Sequence, residues 1–550
     1  MLGKYALALL GRRLWRQFES WTVSPYVAQE QWLMTILRRN QDTAFGRAHA
    51  FGKIRSLKDY RASVPLGDYE SIRPYVQMIM EGKPRVLTAD APFMFNLTSG
   101  TTDKPKLIPV TRYAAGMNAR LTMLWLYRTL VDHPDFFDGT FLFLASPPVE
   151  GHTPGGLPYG SASGLSLTTA PWLLKRRHVI PDEVLSIKDY EARYYLTMRL
   201  ALEHRLSFLV TPNPGTLIRL AKTADARKEE MIRDIRDGTL SGSLDFCAGI
   251  RNRLKGRLRP NPRRAHELAR YAEEHNALRP HDYWPDLRVI GCWKGGTLGV
   301  QLTKLEQWFN PSTPIRDLGY LASEGHCSLP ISDRGAEGLL AVHTNFYEFI
   351  PAEERDHANP RILTCDELRT DENYYILLTT AGGLYRYDIN DVIRVTGYYR
   401  NTPVIEFLRK GRDMANLTGE KVHVTQVIQA VQQSQVDTQT CLRHFRAVAD
   451  AIQCRYEFMV EFEETCPSTD RLSVFLDRLD TVLGQMNVEY SQKRRSGRLG
   501  PPCLHVMKHG WFEQTLCGRL RQGARDAQLK PSLLTETKEG TEDILLTIER

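Results

Sequence analysis

The stretch Thr98-Ser99-Gly100-Thr101-Thr102-Asp103-Lys104-Pro105-Lys106, followed at once by Leu107-Ile108-Pro109-Val110, decides how this chain is read. Glycine lets the main chain approach an anion closely, hydroxyls and backbone N–H groups donate to phosphate oxygens, and Lys104 or Lys106 supplies positive charge. A kinase-type phosphate loop is excluded, because that loop is Gly-x-x-x-x-Gly-Lys-Ser/Thr opening a helix. Here Pro105 and the apolar run after it predict a turn feeding a strand. Two readings stand side by side: a loop that wraps a polyphosphate, and an ordinary surface turn rich in Ser, Thr and Gly.

Around this run lie 550 residues, more than one hydrophobic core usually serves, so at least two domains are expected. Hydrophobic content of 42% and charged content of 25% are those of a folded globular chain. The net charge of +8 is small against 72 basic and 64 acidic side chains, and no basic block with interleaved aromatics occurs. Nucleic-acid binding is therefore not expected, while a mild positive balance favours anionic substrates such as ATP and carboxylates. The nine cysteines are scattered and lack a Cys-x-x-Cys pair, which reads as reduced thiols of a cytosolic protein rather than metal ligands. At the start, Arg12, Arg13 and Arg16 follow the apolar stretch instead of preceding it, which suits an amphipathic helix better than a signal peptide. No apolar run reaches the roughly 20 residues a membrane span needs. A cytoplasmic protein without a membrane or nucleic-acid partner is the expectation.

Working outward, Trp32, Leu33, Ile36 and Leu37 have helical spacing within residues 29–40, and residues 59–75 mix short helix with breaks at Pro65 and Pro74. Beyond the loop, apolar runs at 140–145, 206–210, 287–292 and 339–342 alternate with helical stretches, including a charged helix at 221–236. That alternation indicates an α/β domain with buried strands. A polar, Gly-rich segment at 150–164 suits a substrate-side loop, and residues 374–408 read as hairpins turning at Gly382-Gly383. Composition changes at Arg409-Lys410-Gly411-Arg412-Asp413. After it come a helix at 422–431, a strand at 456–462, a helix at 471–486 and a strand at 504–507, the pattern of a small α+β domain. The boundary is placed between 1–410 and 411–550.

Three more clusters follow the loop in order: Trp293-Lys294-Gly295-Gly296, Tyr320-Leu321-Ala322-Ser323-Glu324, and Tyr385-Arg386-Tyr387-Asp388-Ile389-Asn390-Asp391-Val392. With Arg236 to Leu240, Trp284 to Leu287 and Phe407-Leu408-Arg409, this ordered set resembles the auxin-responsive (Gretchen Hagen type) acyl-acid amido synthetases. That family lies within the acyl-adenylating superfamily of luciferase and acyl-CoA synthetases, and the resemblance runs from about Gln29 to the C-terminus.

The resemblance implies a large N-terminal adenylation domain of sheets flanked by helices and a small mobile C-terminal domain. It implies ATP-binding roles for Thr98, Ser99, Gly100, Thr101, Thr102 and Lys106 at the polyphosphate, for Gly295, Gly296 and Tyr320 near adenine, and for Ser323 in the same ATP site. Asp391 matches the acceptor for ribose hydroxyls, with Asp388 its near competitor. Arg412-Asp413 resembles the hinge, the arginine reaching the ribose. Glu324 matches the acid that binds Mg2+, a hard cation wanting one or two carboxylates plus phosphate oxygens and water. Lys530 matches the lysine that neutralises charge at the reacting carboxylate and α-phosphate. The chain departs from the family at Leu321-Ala322 within the Glu324 motif and at Asn390, where relatives have glycine, although Asn also tolerates left-handed backbone. Asp103 likewise replaces a loop glycine.

The implied reaction is adenylation of a small carboxylic acid by Mg·ATP, then transfer of the acyl group to an amine, an amino acid by family expectation. Neither a Ser-His-Asp nor a Cys-His set is needed or evident. His152, His204, His326, His343 and His423 read as ordinary histidines, and the acid pocket is expected near Gly155-Gly156 and 209–216. Two rivals stay open at this stage: a thiol acceptor, making an acyl-CoA ligase, and a non-catalytic nucleotide-binding regulator.

Overall fold

The computed structural model describes residues 2–98, 106–170, 172–185, 187, 189–242, 248–254, 256–295, 299–355, 357–411, 414–415, 417, 420, 422–450, 452–463, 466–495, 499–521, 533–535, 538 and 540–549. The chain divides into two compact units, residues 1–389 with 393–407, and residues 390–392 with 408–550.

Residues 92–410 carry three sheets. Thr140–Phe143, Leu206–Val210, Val289–Gly291 and Ile315–Arg316 form a parallel sheet, paired in that order. Their near-continuous apolar runs are what a sheet buried on both faces requires. A second sheet runs in the order Asn345–Pro351, Asn373–Thr380, Tyr387–Tyr399, Thr402–Lys410, Gly338–Leu340, Ser328–Leu329. The apolar run at 339–342 thus belongs here, antiparallel to Thr402–Lys410, and not with the other three runs. The third sheet is ordered Lys106–Thr111, Pro92–Thr98, Pro158–Gly160, Gly151–His152. Lys106–Thr111 is its edge strand, which is how Pro109 is accommodated without loss of a ladder hydrogen bond.

Helices fill the gaps between sheets. The N-terminal helix Leu2–Trp21 buries Leu7, Trp15 and Phe18 and sets Gly11 against Tyr127 of the helix Arg112–Asp132. Tyr69–Met80 is capped by Asp68 and continues through Pro74, so that proline does not end it. The charged stretch at 221–236 is two helices, Pro214–Ala226 and Lys228–Asp237, parted at Arg227, where Thr223 and Asp225 carbonyls receive the Arg227 N–H. At 380–384 the hairpin turns at Gly383, whose φ of +99° demands glycine.

In the second unit a five-stranded sheet is ordered Leu534–Thr535, Leu442–Asp450, Arg455–Phe462, Cys503–Met507, Ile544–Ile548. The helices Val424–Thr438 and Thr469–Met486 bury Val427, Val431, Leu472, Phe475, Leu476 and Leu479. Among the described residues no helix is long and apolar enough to cross a membrane.

Candidate active site

Pro92–Thr98 pairs antiparallel with Lys106–Thr111, and the register sets Thr98 opposite Lys106, so the Ser/Thr/Gly run joins two hydrogen-bonded strands. Residues 99–105, which include Ser99, Gly100, Thr101 and Thr102, lie outside the described residues. Lys106 holds its ammonium 5.7 Å from the centre of the Tyr69 ring, a cation–π contact. Thr111 closes the strand and accepts from Ala114 N–H, starting the long helix Arg112–Asp132.

Glu324 stands at the tip of a tight turn. Ala322 and Gly325 exchange backbone hydrogen bonds of 2.9 and 3.2 Å, and Leu321 bridges His326, which leaves Ser323 and Glu324 as the two central residues. Asn96, two residues before Thr98, donates its Nδ2 to the Ser323 carbonyl at 3.1 Å. One amide side chain therefore ties the turn to the strand that leads into the loop. Beside them opens a small pocket, partly open to solvent, walled by Asn96, Ile108 to Val110, Met117, Ser323 to Gly325, Thr344-Asn345 and Thr380 to Gly382. Among the described residues, Glu324 is the one acidic side chain in that wall. Neither Gly155-Gly156 nor 209–216 lines it.

The adenine candidates gather around Phe407. Tyr320 is buried, with its ring stacked on that of Phe407 at 5.4 Å and 28°. A Cβ on Gly295 would lie 3.1 Å from Ala336 Cβ and 3.3 Å from the Phe407 carbonyl. Gly296 lies outside the described residues. Lys294, beside these glycines, is committed to structure: its ammonium donates to the carbonyls of Asp333, Arg334 and Ile315 at 2.6, 3.2 and 3.3 Å.

The third cluster divides between two tasks. Arg386, at φ +44°, donates to both oxygens of Glu348 and to the carbonyls of Arg61 and Val64. Tyr385 donates its hydroxyl to the Leu87 carbonyl at 2.7 Å. Asp388 is ion-paired with Arg355. These residues build the scaffold. Asp391 follows Asn390, whose φ of +57° is the left-handed conformation that glycine or asparagine favours. The Asn390 carbonyl accepts from Gly411 N–H at 2.8 Å, and the Asp391 side chain is buried. Arg412, Asp413 and Lys530 lie outside the described residues.

Burial pushes His326 down to about 4, keeping it neutral, and burial also lowers His343. Burial pushes the Cys365 thiol up to about 12, far from a reactive thiolate. No cluster of three or more His, Cys, Asp or Glu that could hold a metal occurs among the described residues.

Two residues escaped the sequence reading. Asn96 is one. The other is Asp317, a buried carboxylate just after Ile315–Arg316, which accepts from Lys294 N–H and from Gly319 N–H, each at 2.6 Å. Single polar residues beside apolar strands carry no local pattern that marks them.

Comparison with known proteins places this geometry in a family. Residues 14–315 match the GH3 family N-terminal domain, 338–410 the GH3 family central domain, and 423–539 the GH3 family C-terminal domain. The chain is 22% identical over 542 residues to the indole-3-acetic acid-amido synthetase GH3.3 of Arabidopsis thaliana, covering 94% of this chain and 90% of that protein. It is 24% identical over 550 residues to GH3.15 of the same plant, likewise named an indole-3-acetic acid-amido synthetase, covering 93% and 91%. A solved structure of the GH3.15 acyl acid amido synthetase superposes with a TM-score of 0.85 at 21% identity over 96% of this chain and 95% of the other. A 2-hydroxyisobutyryl-CoA ligase in the postadenylation state superposes with a TM-score of 0.52 at 13% identity, over 90% and 91%. With family models matching more than half its length, the chain belongs to the GH3 family.

Proposed function

We propose that this protein joins a small carboxylic acid to an amine, an amino acid being the expected acceptor, by way of an acyl-adenylate. One carboxylate oxygen of the acid attacks the α-phosphorus of ATP, the bond to the β-phosphate breaks, and pyrophosphate leaves. The amine nitrogen then attacks the acyl carbon, the bond to the adenylate oxygen breaks, AMP leaves, and the amine gives up a proton. The observation that carries this reading is the carboxylate of Glu324, held on a tight turn in the pocket wall, with that turn tied through Asn96 to the strand entering the Ser/Thr/Gly run.

That donor set fits Mg2+ better than a cation needing an all-protein cage, since Mg2+ takes one or two carboxylates and otherwise phosphate oxygens and water. When bound, the ion neutralises charge on the polyphosphate. Glu324 holds it in this reading. Thr98, Ser99, Gly100, Thr101, Thr102 and Lys106 take the polyphosphate, Gly295, Gly296 and Tyr320 frame the adenine, and Ser323, on the Glu324 turn, also serves the ATP site. Asp391 accepts from the ribose hydroxyls, Arg412 contacts the ribose, and Lys530 meets the charge that gathers on the reacting oxygens. The work is positioning and charge stabilisation, which is why no covalent nucleophile is called for. In this reading 1–410 form the adenylation domain, 411–550 a cap that moves at Arg412-Asp413, and the protein works in the cytoplasm.

The test is product formation from panels of aromatic, indole, fatty and short-chain acids with amino acids, Mg2+ and ATP, read by mass spectrometry. An adduct of acid plus amino acid less water, with AMP, is the expected result. AMP release that needs coenzyme A and ignores amines would transfer the protein to the thiol-acceptor class.

A further inference from the structure

Asp317 joins the two adenine-side loops through its carboxylate. Its Oδ2 accepts from Lys294 N–H in the loop that carries Gly295, and its Oδ1 accepts from Gly319 N–H in the loop that carries Tyr320. The carboxylate is 3% exposed, so each bond is charge-assisted in a medium of low dielectric. Its backbone is fixed as well, since Trp125 Nε1 donates to the Asp317 carbonyl at 2.7 Å. Gly319 has no alternative at its position: φ is +87° and a Cβ would meet the Ser328 carbonyl at 2.4 Å. On the far side of that glycine, Tyr320 N–H donates to Ser328 Oγ at 2.9 Å, fixing where the ring begins.

We propose that Asp317 is a positioning residue for nucleotide binding, its two oxygens clamping the Gly295 loop and the Tyr320 loop at the separation an adenine ring requires. The inference rests on the assignment of those two loops to adenine. Asp317 itself touches no substrate in this account. The clamp is strongest when ionised, because protonation removes the charge that strengthens both bonds and leaves one oxygen as a hydroxyl, a weaker acceptor for its backbone N–H. Burial pushes this carboxyl up to about 7, against the lowering effect of the two N–H donors and of Lys294, while Glu406 raises it further. The titratable or charged groups facing it are Lys294, Glu406 and the Cys292 thiol. As pH falls through about 7 the carboxyl takes up a proton, the bond to one of the two loops weakens, and the nucleotide is held less well.

The experiment compares wild type with Asp317→Asn, which keeps one acceptor and turns an N–H₂ toward the other loop. ATP affinity is measured by calorimetry, and amide hydrogen exchange is read at Lys294 and Gly319. ATP should bind about tenfold more weakly, the scale of one lost charge-assisted hydrogen bond, and exchange should quicken at one or both amides. In acid-dependent pyrophosphate exchange KM for ATP should rise about tenfold while kcat stays within about threefold. Unchanged ATP affinity, or a loss confined to kcat, overturns the proposal. Should the variant not fold, adenosine binding to the wild type decides it, since adenosine itself does not titrate in this range. Affinity should fall severalfold from pH 8.5 to pH 6, and a flat profile overturns the clamp. Absence of any pyrophosphate exchange in the wild type would count against the adenylate reading and not against Asp317, whose amides and ATP affinity are read without turnover.

Discussion

Replacing Arg386 by Met should destabilise the first unit by about 3–5 kcal/mol, the usual cost of removing one partner from a buried ion pair. The structure says why the cost is large. Arg386 Nε and a terminal nitrogen reach Glu348 at 2.8 and 3.2 Å, and the other terminal nitrogen reaches the Arg61 and Val64 carbonyls at 3.2 and 2.8 Å. Glu348 is 1% exposed, and after the substitution Arg61 at 2.8 Å is its remaining ion-pair partner among the described residues. Methionine keeps most of the apolar stem, and it meets the same positive φ as arginine, so packing and backbone strain change little. Urea unfolding followed by tryptophan fluorescence reads this unit, because only Trp511 of the nine tryptophans lies beyond residue 407. The midpoint should fall with the slope unchanged. Glu348→Gln should be similarly costly, and the double variant should lose less than the sum of the two. A loss below about 1 kcal/mol for Arg386→Met would refute the reasoning. A large rise in KM for ATP without loss of stability would move Arg386 from scaffold to nucleotide site.

Glu324→Gln should lower adenylation by roughly 100-fold or more through lost affinity for Mg2+, with unfolding unchanged within about 0.5 kcal/mol because the side chain sits at a partly exposed turn; a magnesium titration of pyrophosphate exchange checks it. Lys530→Ala should abolish most adenylation while calorimetric ATP affinity changes less than about threefold; turnover at the wild-type rate would remove Lys530 from the mechanism. In the second unit, Lys538 pairs with Asp450 and Glu457 at 2.7 and 2.6 Å, and His505 lies 3.0 Å from Glu457. Burial alone would raise the Glu457 carboxyl, but Lys538 and His505 outweigh it and hold it below its ordinary value. Such a group stabilises the fold above the ordinary carboxylate pKa of about 4.3, and that stability is lost as pH falls through the lower folded value. Lys538→Met should therefore speed amide exchange in Leu442–Asp450 at pH 7, with the difference from wild type shrinking toward pH 3. A difference independent of pH would contradict the assignment.

Family membership was legible in the sequence because four clusters recur in a fixed order, and order over hundreds of residues is hard to meet by chance. The parallel strands Leu206–Val210 and Val289–Gly291 were legible for a local reason: short apolar runs bounded by turn residues leave few alternatives. Gly338–Leu340 looks the same along the chain, yet its partner is Thr402–Lys410, a pairing across more than 60 residues that no local pattern encodes. Pro74 was read as a break, whereas packing of Ile72, Val76 and Ile79 carries the helix through it. Within the candidate site, Glu324 and Tyr320 were found as parts of a motif. The tasks of Lys294 and Arg386 were not, because their partners lie 21 to 325 residues away. Asn96 and Asp317 were passed over entirely, since a residue that positions others is recognised only through what it touches.

The central claim is that this chain activates a carboxylic acid on ATP. Acid-dependent exchange of labelled pyrophosphate into ATP, with Mg2+ present and neither amine nor thiol added, tests it most directly across aromatic, indole, fatty and short-chain acids. The account predicts exchange with at least one class, dependent on the acid and abolished by removing Mg2+. Tight ATP binding with no exchange for any acid in the panel would contradict it and favour a nucleotide-binding protein without turnover.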